Sequence, residues 1–287
     1  MPAAMIAGAA FSGFFERLSW LTPYLIFAML VQTYCGLSLK DIRFSTLHGR
    51  LLLIQFGGGL LLFYLLRPID PLLAQGAMMC VMAPTAISAA VITGMLRGNV
   101  AWVIAFSLVS NFTAAILTPV IFTLVTKRET FGFFASFWPM FVQLSALLLL
   151  PLLVAIIIRR AAPNFAMTLR AVPGVSFLLW TLALAIVTGK TLHFLVQQQN
   201  GDYLLEIVIA FAALIVCLMQ FVIGRKLGAR FDESVATGQS LGQKNTVLAI
   251  WMAQTYLHPM AAVGPGAYIL WQNMVNSYQL WKKRKTG

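Results

Sequence analysis

Six consecutive residues, Ser240-Leu241-Gly242-Gln243-Lys244-Asn245, place a hydroxyl, two amides and an amine inside a stretch, 234–256, otherwise apolar enough to cross a bilayer. The flanking Gly238, Gln239 and Thr246 make one side of it too polar, and too poor a helix former, to face lipid. An ionisable group at membrane depth costs roughly 2.5–3.5 kcal/mol on insertion scales and marks a functional site by default. A lysine near a helix end can instead snorkel to the headgroups. Here apolar sequence continues for about three turns beyond Lys244, so the amine is expected to stay at depth. A fixed positive charge in that place can attract an anion or stand in for a metal cation. It has no carboxylate partner with which to run acid–base catalysis, so the reading is not that of an enzyme.

The elements that must hold such a group are membrane helices. Of 287 residues 60% are hydrophobic and 10% charged, against about 25% charged in soluble domains, so the chain reads as all-α and polytopic. The net charge of +12 is scattered over segment ends with no basic, aromatic-interleaved face, which speaks against nucleic acid as a partner. Cys35, Cys80 and Cys217 each sit in an apolar run and read as buried thiols. His48, His193 and His258 are far apart and without ligand spacing, so no metal site is expected. The opening Met1-Pro2-Ala3-Ala4-Met5-Ile6-Ala7 lacks a basic n-region and is too short to span; it reads as an interfacial or re-entrant stub.

On a ruler of about 20 residues per crossing, nine crossings are expected, near 21–38, 47–66, 71–96, 100–125, 138–158, 171–190, 204–224, 234–256 and 259–281. They make one transmembrane domain over 1–287, with approximate repeat halves 20–126 and 131–281. Basic residues then set the orientation. One set of loops holds Lys40, Arg43, Arg50, Arg97, Arg159, Arg160, Arg170, Arg225, Lys226, Arg230, Lys282, Lys283, Arg284 and Lys285. The other holds only Arg17, Arg67, Lys127, Arg128 and Lys190. That bias puts the C-terminus in the cytoplasm and the N-terminus outside, in an inner or plasma membrane.

Two crossings differ from the rest. In the third, Pro84 within Met82-Ala83-Pro84-Thr85-Ala86-Ile87-Ser88 must kink or break the helix, because proline donates no hydrogen bond and its ring clashes one turn back. The eighth is weakened at Gly238 and Gly242. Broken backbone survives in a membrane only where protein buries it or where it lines water. Interrupted segments at corresponding places in two halves point to an inverted-repeat secondary transporter. Lys244, Asn245, Gln243, Ser240, Thr85, Ser88, Gln55, Gln272 and Asn273 are the candidate site residues, and Ser107 lies on the helix passing behind the first break. Each amide or hydroxyl could equally make a plain interhelical bond worth about 0.6 kcal/mol.

At these residues the chain resembles the bile acid:sodium symporter family. The likeness rests on Ala83-Pro84, Arg97-Gly98-Asn99-Val100-Ala101 and Leu117-Thr118-Pro119, then on Gln243-Lys244-Asn245, Pro265-Gly266-Ala267 and Trp271-Gln272-Asn273. It implies a ten-helix inverted repeat with core and panel domains, from which this chain is expected to lack most of the first helix. It also implies sodium coupling, and there the chain departs. A Ser-Asn pair of ligands in the family matches Ala89 and Ala90; two hydroxyl ligands match Val103 and Ser107; a Glu matches Ser240 and a Gln matches Lys244. Gln55, Ser107 and Ser240 are the matched side chains that keep oxygen, and Asn245 matches a residue that faces substrate.

Sodium remains a possible cofactor, but Glu16, Asp41, Asp70, Glu129, Asp202, Glu206, Asp232 and Glu233 all lie near segment ends, and Lys244 would repel a cation. The expectation is therefore a carrier of a small organic anion in which the Lys244 ammonium replaces sodium, transport being facilitated or proton-linked. A sodium-coupled symporter is the alternative, and a membrane sensor that keeps the fold without transport is the third. The lipid bilayer and the anion are the expected partners; oligomeric state and substrate identity are not legible.

Overall fold

The computed structural model describes residues 2–35, 45–86, 88–126, 133–171, 173–197 and 203–286. Lys40, Asp41, Arg43, Lys127, Arg128, Glu129 and Asp202, used above in reading charge, lie outside the described residues. The described chain is helical throughout: α1 (Pro2–Ala10), α2 (Ser12–Arg17), α3 (Thr22–Cys35), α4 (Thr46–Leu52), α5 (Gly58–Leu66), α6 (Pro71–Met82), α7 (Ser88–Met95), α8 (Val100–Thr126), α9 (Phe133–Ala161), α10 (Pro163–Ala171), α11 (Pro173–Gln197), α12 (Tyr203–Ala229), α13 (Ser234–Gly242), α14 (Thr246–Tyr256) and α15 (Val263–Thr286). Among the described residues, Thr46–Leu66, Val100–Thr126, Phe137–Ala161 and Tyr203–Phe231 are each long and apolar enough to cross a membrane. The protein is an integral membrane protein.

Two compact units form, and each draws on both halves of the sequence. The first contains Met1–Ser38, Ala115–Gly201 and Gln254–Pro259. Within it α11 is packed by α1, α2 and α3, and α3 packs on α9. The N-terminal stub is thus a helix laid on α11, where a side chain at Gly8 would run into the Ala185 carbonyl. Polar side chains stitch this unit internally: Gln32 Nε2 donates to the Leu169 carbonyl at 3.0 Å, and Tyr256 OH donates to Gln143 Oε1 at 2.7 Å.

The second unit contains Leu39–Ala114, Asp202–Ala253 and Met260–Gly287. Here α12 packs against α6, α13 and α15. Small residues set the spacing. A Cβ on Gly264 would lie 2.6 Å from the Gly76 carbonyl oxygen, and one on Gly224 would lie 2.5 Å from that of Thr237. The Arg97-Gly98-Asn99 motif is a helix-to-helix turn: Arg97 takes a left-handed φ of 61°, and Gly98 N donates back to the Thr93 carbonyl at 2.8 Å to close α7. Asn99 Oδ1 then accepts from Trp102 N at 3.1 Å, capping α8. His48 stacks on Trp102 with ring centroids 4.1 Å apart, fixing α4 beside α8.

Candidate functional site

The first break begins with a well-started helix. Asp70 Oδ1 accepts from Leu72 N and Leu73 N at 2.8 and 2.7 Å, with Pro71 in the first helical position. The helix α6 stops at Met82 because Pro84 cannot donate to the Cys80 carbonyl. Four carbonyls at its end are left without helical partners, and side chains from other helices take all four. Gln220 Nε2 donates to Cys80 O at 3.0 Å, Lys244 Nζ to Val81 O at 2.8 Å, and Gln55 Nε2 to both Met82 O and Ala83 O at 3.0 Å. Gln55 sits in a π turn, Leu53–Gly57, between α4 and α5, and Ser110 Oγ donates to its Oε1 at 3.0 Å. Such a turn inserts a residue into the helix and turns that residue's side chain inward. Past the end of that turn, Gly59 lets the helix lie directly against Met82.

The second break lies across the first. α13 ends at Gly242, where a Cβ would strike the Phe221 ring. Gln243, Lys244 and Asn245 then run antiparallel to 84–86 as a one-bridge pair. Ala86 N donates to Gln243 O at 2.9 Å and Asn245 N to Pro84 O at 2.8 Å. Thr85 Oγ1 adds a 2.6 Å bond to the Ser240 carbonyl, and Tyr268 OH donates to the Gly242 carbonyl at 2.9 Å. Gly238, expected as a break, is not one: α13 continues through it. A Cβ there would lie 2.6 Å from Arg225 Cγ, so that glycine serves close approach of α12 rather than chain reversal.

Lys244 is 1% exposed. Its backbone N donates to Gln272 Oε1 at 2.9 Å, and its side chain reaches into α6, beside the thiols of Cys80 and Cys217. The ammonium therefore rests on the carboxyl-terminal, negative end of a helix dipole. It does not point into open space; its charge is felt through the protein rather than by contact.

The profile of the SBF-like CPA transporter family matches residues 21–274, both breaks included. The chain belongs to that family. It is also similar to the uncharacterized sodium-dependent transporter YocS of Bacillus subtilis, 23% identical over 97% of this chain and 88% of that protein.

In this SBF-like protein Ser88, Ser107 and Asn245 are partly exposed at the crossing, whereas Gln55, Thr85, Ser240, Gln243 and Gln272 are buried in it. Ser107 Oγ donates to the Thr85 carbonyl at 3.3 Å, and Gln243 Nε2 to Ser88 Oγ at 2.9 Å. Asn245 Oδ1 accepts from Leu248 N at 3.2 Å and caps α14. Asn273 turns back to the Ile269 carbonyl of its own helix at 2.7 Å. Gln220, Tyr268 and Asn276 are site residues that sequence reading passed over. Asn276 Nδ2 donates to Gln243 Oε1, and its Oδ1 accepts from Gln239 Nε2 at 2.9 Å. A signal for it existed, since Gln272, Asn276 and Gln279 recur at the i, i+4, i+7 spacing of one helix face.

Of the positions where the resemblance implies sodium ligands, Ala89, Ala90 and Val103 carry no side-chain oxygen. Ala89 and Val103 are fully buried in an apolar cluster with Leu47, Leu51, Phe106 and Leu241, and Ala90 packs against it. A hard cation wants oxygen ligands, and these side chains offer none. Gln55, Ser107 and Ser240 keep oxygen, and of these the Ser240 hydroxyl is buried with no hydrogen-bond partner among the described residues.

Proposed function

We propose that this SBF-like protein is a secondary carrier of a small organic anion of the bile-acid, keto-acid or hydroxy-acid kind, in which the Lys244 ammonium does the work of a sodium ion. One observation carries the reading: Lys244 Nζ lies 2.8 Å from the Val81 carbonyl, at the crossing, in a site lined by no carboxylate among the described residues. A cation that joins the two broken helices is what a coupled ion would otherwise provide. The amino ends of α7 and α14 also meet there, and their dipoles favour negative charge. Ser88, Ser107 and Asn245 are the partly exposed groups able to orient a carboxylate. Transport is then facilitated, or proton-linked if the amine sheds its proton during the cycle. The nine-crossing inverted repeat, with its C-terminus in the cytoplasm, is the frame in which the proposal places this site.

A second reading, sodium coupling, is favoured by the unpartnered Ser240 hydroxyl and by the name of the similar YocS. The two separate in proteoliposomes. Organic anions that raise the thermal midpoint of the purified protein are taken as radiolabelled substrates, and uptake is followed under inward sodium or potassium gradients. The expected result is equal uptake in both salts, with Lys244→Ala and Lys244→Glu each losing about tenfold or more, as for removal of a buried hydrogen-bonded charge. Uptake that requires sodium in the unmodified protein overturns the proposal. Binding without any flux would mark a sensor instead.

A further inference from the structure

A cavity of about 760 Å³ opens between α12 and α15, within the second unit and apart from the crossing residues. Leu214, Leu218 and Val222 form one wall, and Trp271, Met274 and Tyr278 the other. Leu218, Val222, Met274 and Tyr278 are each about half exposed (47, 48, 61 and 59%), and α12 belongs to a stretch long and apolar enough to cross a membrane. These walls therefore face lipid chains. At one end the lining changes to Arg225, Lys282 and Lys283, and the described lining residues include no carboxylate.

We propose that this groove binds an anionic phospholipid of the bilayer, its phosphate held by Arg225, Lys282 and Lys283 and an acyl chain laid along Leu218, Val222 and Met274. The inference is independent of the transport proposal. Basic pockets at the ends of membrane helices attract anionic headgroups, while an apolar wall gains by covering methylenes. A soluble anion would use the first part and not the second. The basic end is also braced. Arg225 Nη2 donates to Gln279 Oε1 at 2.7 Å, and Gln279 accepts from Gln239 Nε2 at 3.2 Å, so the guanidinium is joined to both α15 and α13. Its planar fork suits a phosphate bidentately. A bound headgroup would tie the ends of α12, α13 and α15 together.

The test uses the full-length protein purified in mild detergent, exchanged against equal amounts of phosphatidylglycerol and phosphatidylcholine, and read by native mass spectrometry and thermal midpoint. Phosphatidylglycerol is expected to be retained at least about fivefold over phosphatidylcholine and to raise the midpoint. The R225Q/K282Q/K283Q variant is expected to bring the two lipids to parity. Met274→Trp, which fills the apolar channel and leaves every charge in place, is expected to reduce retention of both lipids. Equal retention of the two lipids by the unmodified protein overturns the proposal. So does stabilisation by inorganic phosphate alone that matches phosphatidylglycerol, or retention unchanged by Met274→Trp.

Discussion

The two helix breaks look alike in outline and differ in what they offer. The first is made by a proline and flanked by Ala83, Ala86, Ala89 and Ala90, so apart from Thr85 and Ser88 it presents backbone. What it exposes is the carboxyl end of α6: four carbonyls, each taken by a side chain from elsewhere. The second is made by a glycine and flanked by Gln239, Ser240, Gln243, Lys244 and Asn245. It supplies donors, and its own carbonyls are served by Thr85, Ala86 and Tyr268. The first break offers acceptors, and the second brings the charge that takes one of them, the Val81 carbonyl. A lysine is tolerable at this depth because its ammonium meets a helix carboxyl end whose carbonyls have already been freed by Pro84.

If that division holds, the largest loss outside Lys244 comes from emptying the acceptor side. Gln55→Leu leaves the Met82 and Ala83 carbonyls and the Ser110 hydroxyl without their partner, at on the order of 1–3 kcal/mol for each group orphaned in the interior. A fall in the thermal midpoint, accompanied by loss of anion binding, is the expected outcome. Gln55→Glu, which keeps volume and an acceptor for Ser110 but cannot donate in its ionised form, should fall as far. Recovery in Gln55→Glu would show that packing, not donation to α6, is what Gln55 supplies.

The donor side should respond through shape instead. Gly242→Ala keeps every hydrogen bond of the break in principle, but its Cβ meets the Phe221 ring, so α12 or α13 must shift. Overpacking of this sort costs about 1–3 kcal/mol, and the pair Gly242→Ala with Phe221→Leu should recover much of it. A double-mutant cycle on thermal midpoints reads the coupling. Additive effects would mean that the two breaks are not held at a fixed distance by α12.

How much of this was legible follows from the same contrast. Pro84 and the polar run 240–245 announce themselves, because each violates what a lipid-facing helix allows. The departure from the sodium ligand pattern is an expectation that the resemblance carries; what the fold adds is that Ala89 and Val103 lie in apolar packing. Gln220 was not legible as a partner of Cys80, since pairing across 140 positions depends on how helices pack and not on spacing within either. Gly238 misled for a related reason: a glycine weakens a helix by itself, yet here it is kept because Arg225 lies over it. The side-chain amide line on α15 was readable as a periodic stripe, but only its first member had been joined to the site.

The smallest effect is the most discriminating. Ser240 Oγ is buried, and among the described residues nothing donates to it or accepts from it, although its own backbone carbonyl is bonded by Thr85. Removing an unpartnered hydroxyl loses no hydrogen bond and relieves its burial, so Ser240→Ala should change stability by no more than about 0.5 kcal/mol, with a slight gain as the favoured sign. The measurement is a thermal midpoint taken in sodium chloride and again in potassium chloride, with the unmodified protein alongside. If Lys244 fills the cation's place, neither protein distinguishes the two salts. If instead sodium stabilises the unmodified protein and Ser240→Ala abolishes that difference, the hydroxyl is an ion ligand. The second break would then hold a mobile cation beside its fixed one, and the split into an acceptor break and a donor break would have to be redrawn.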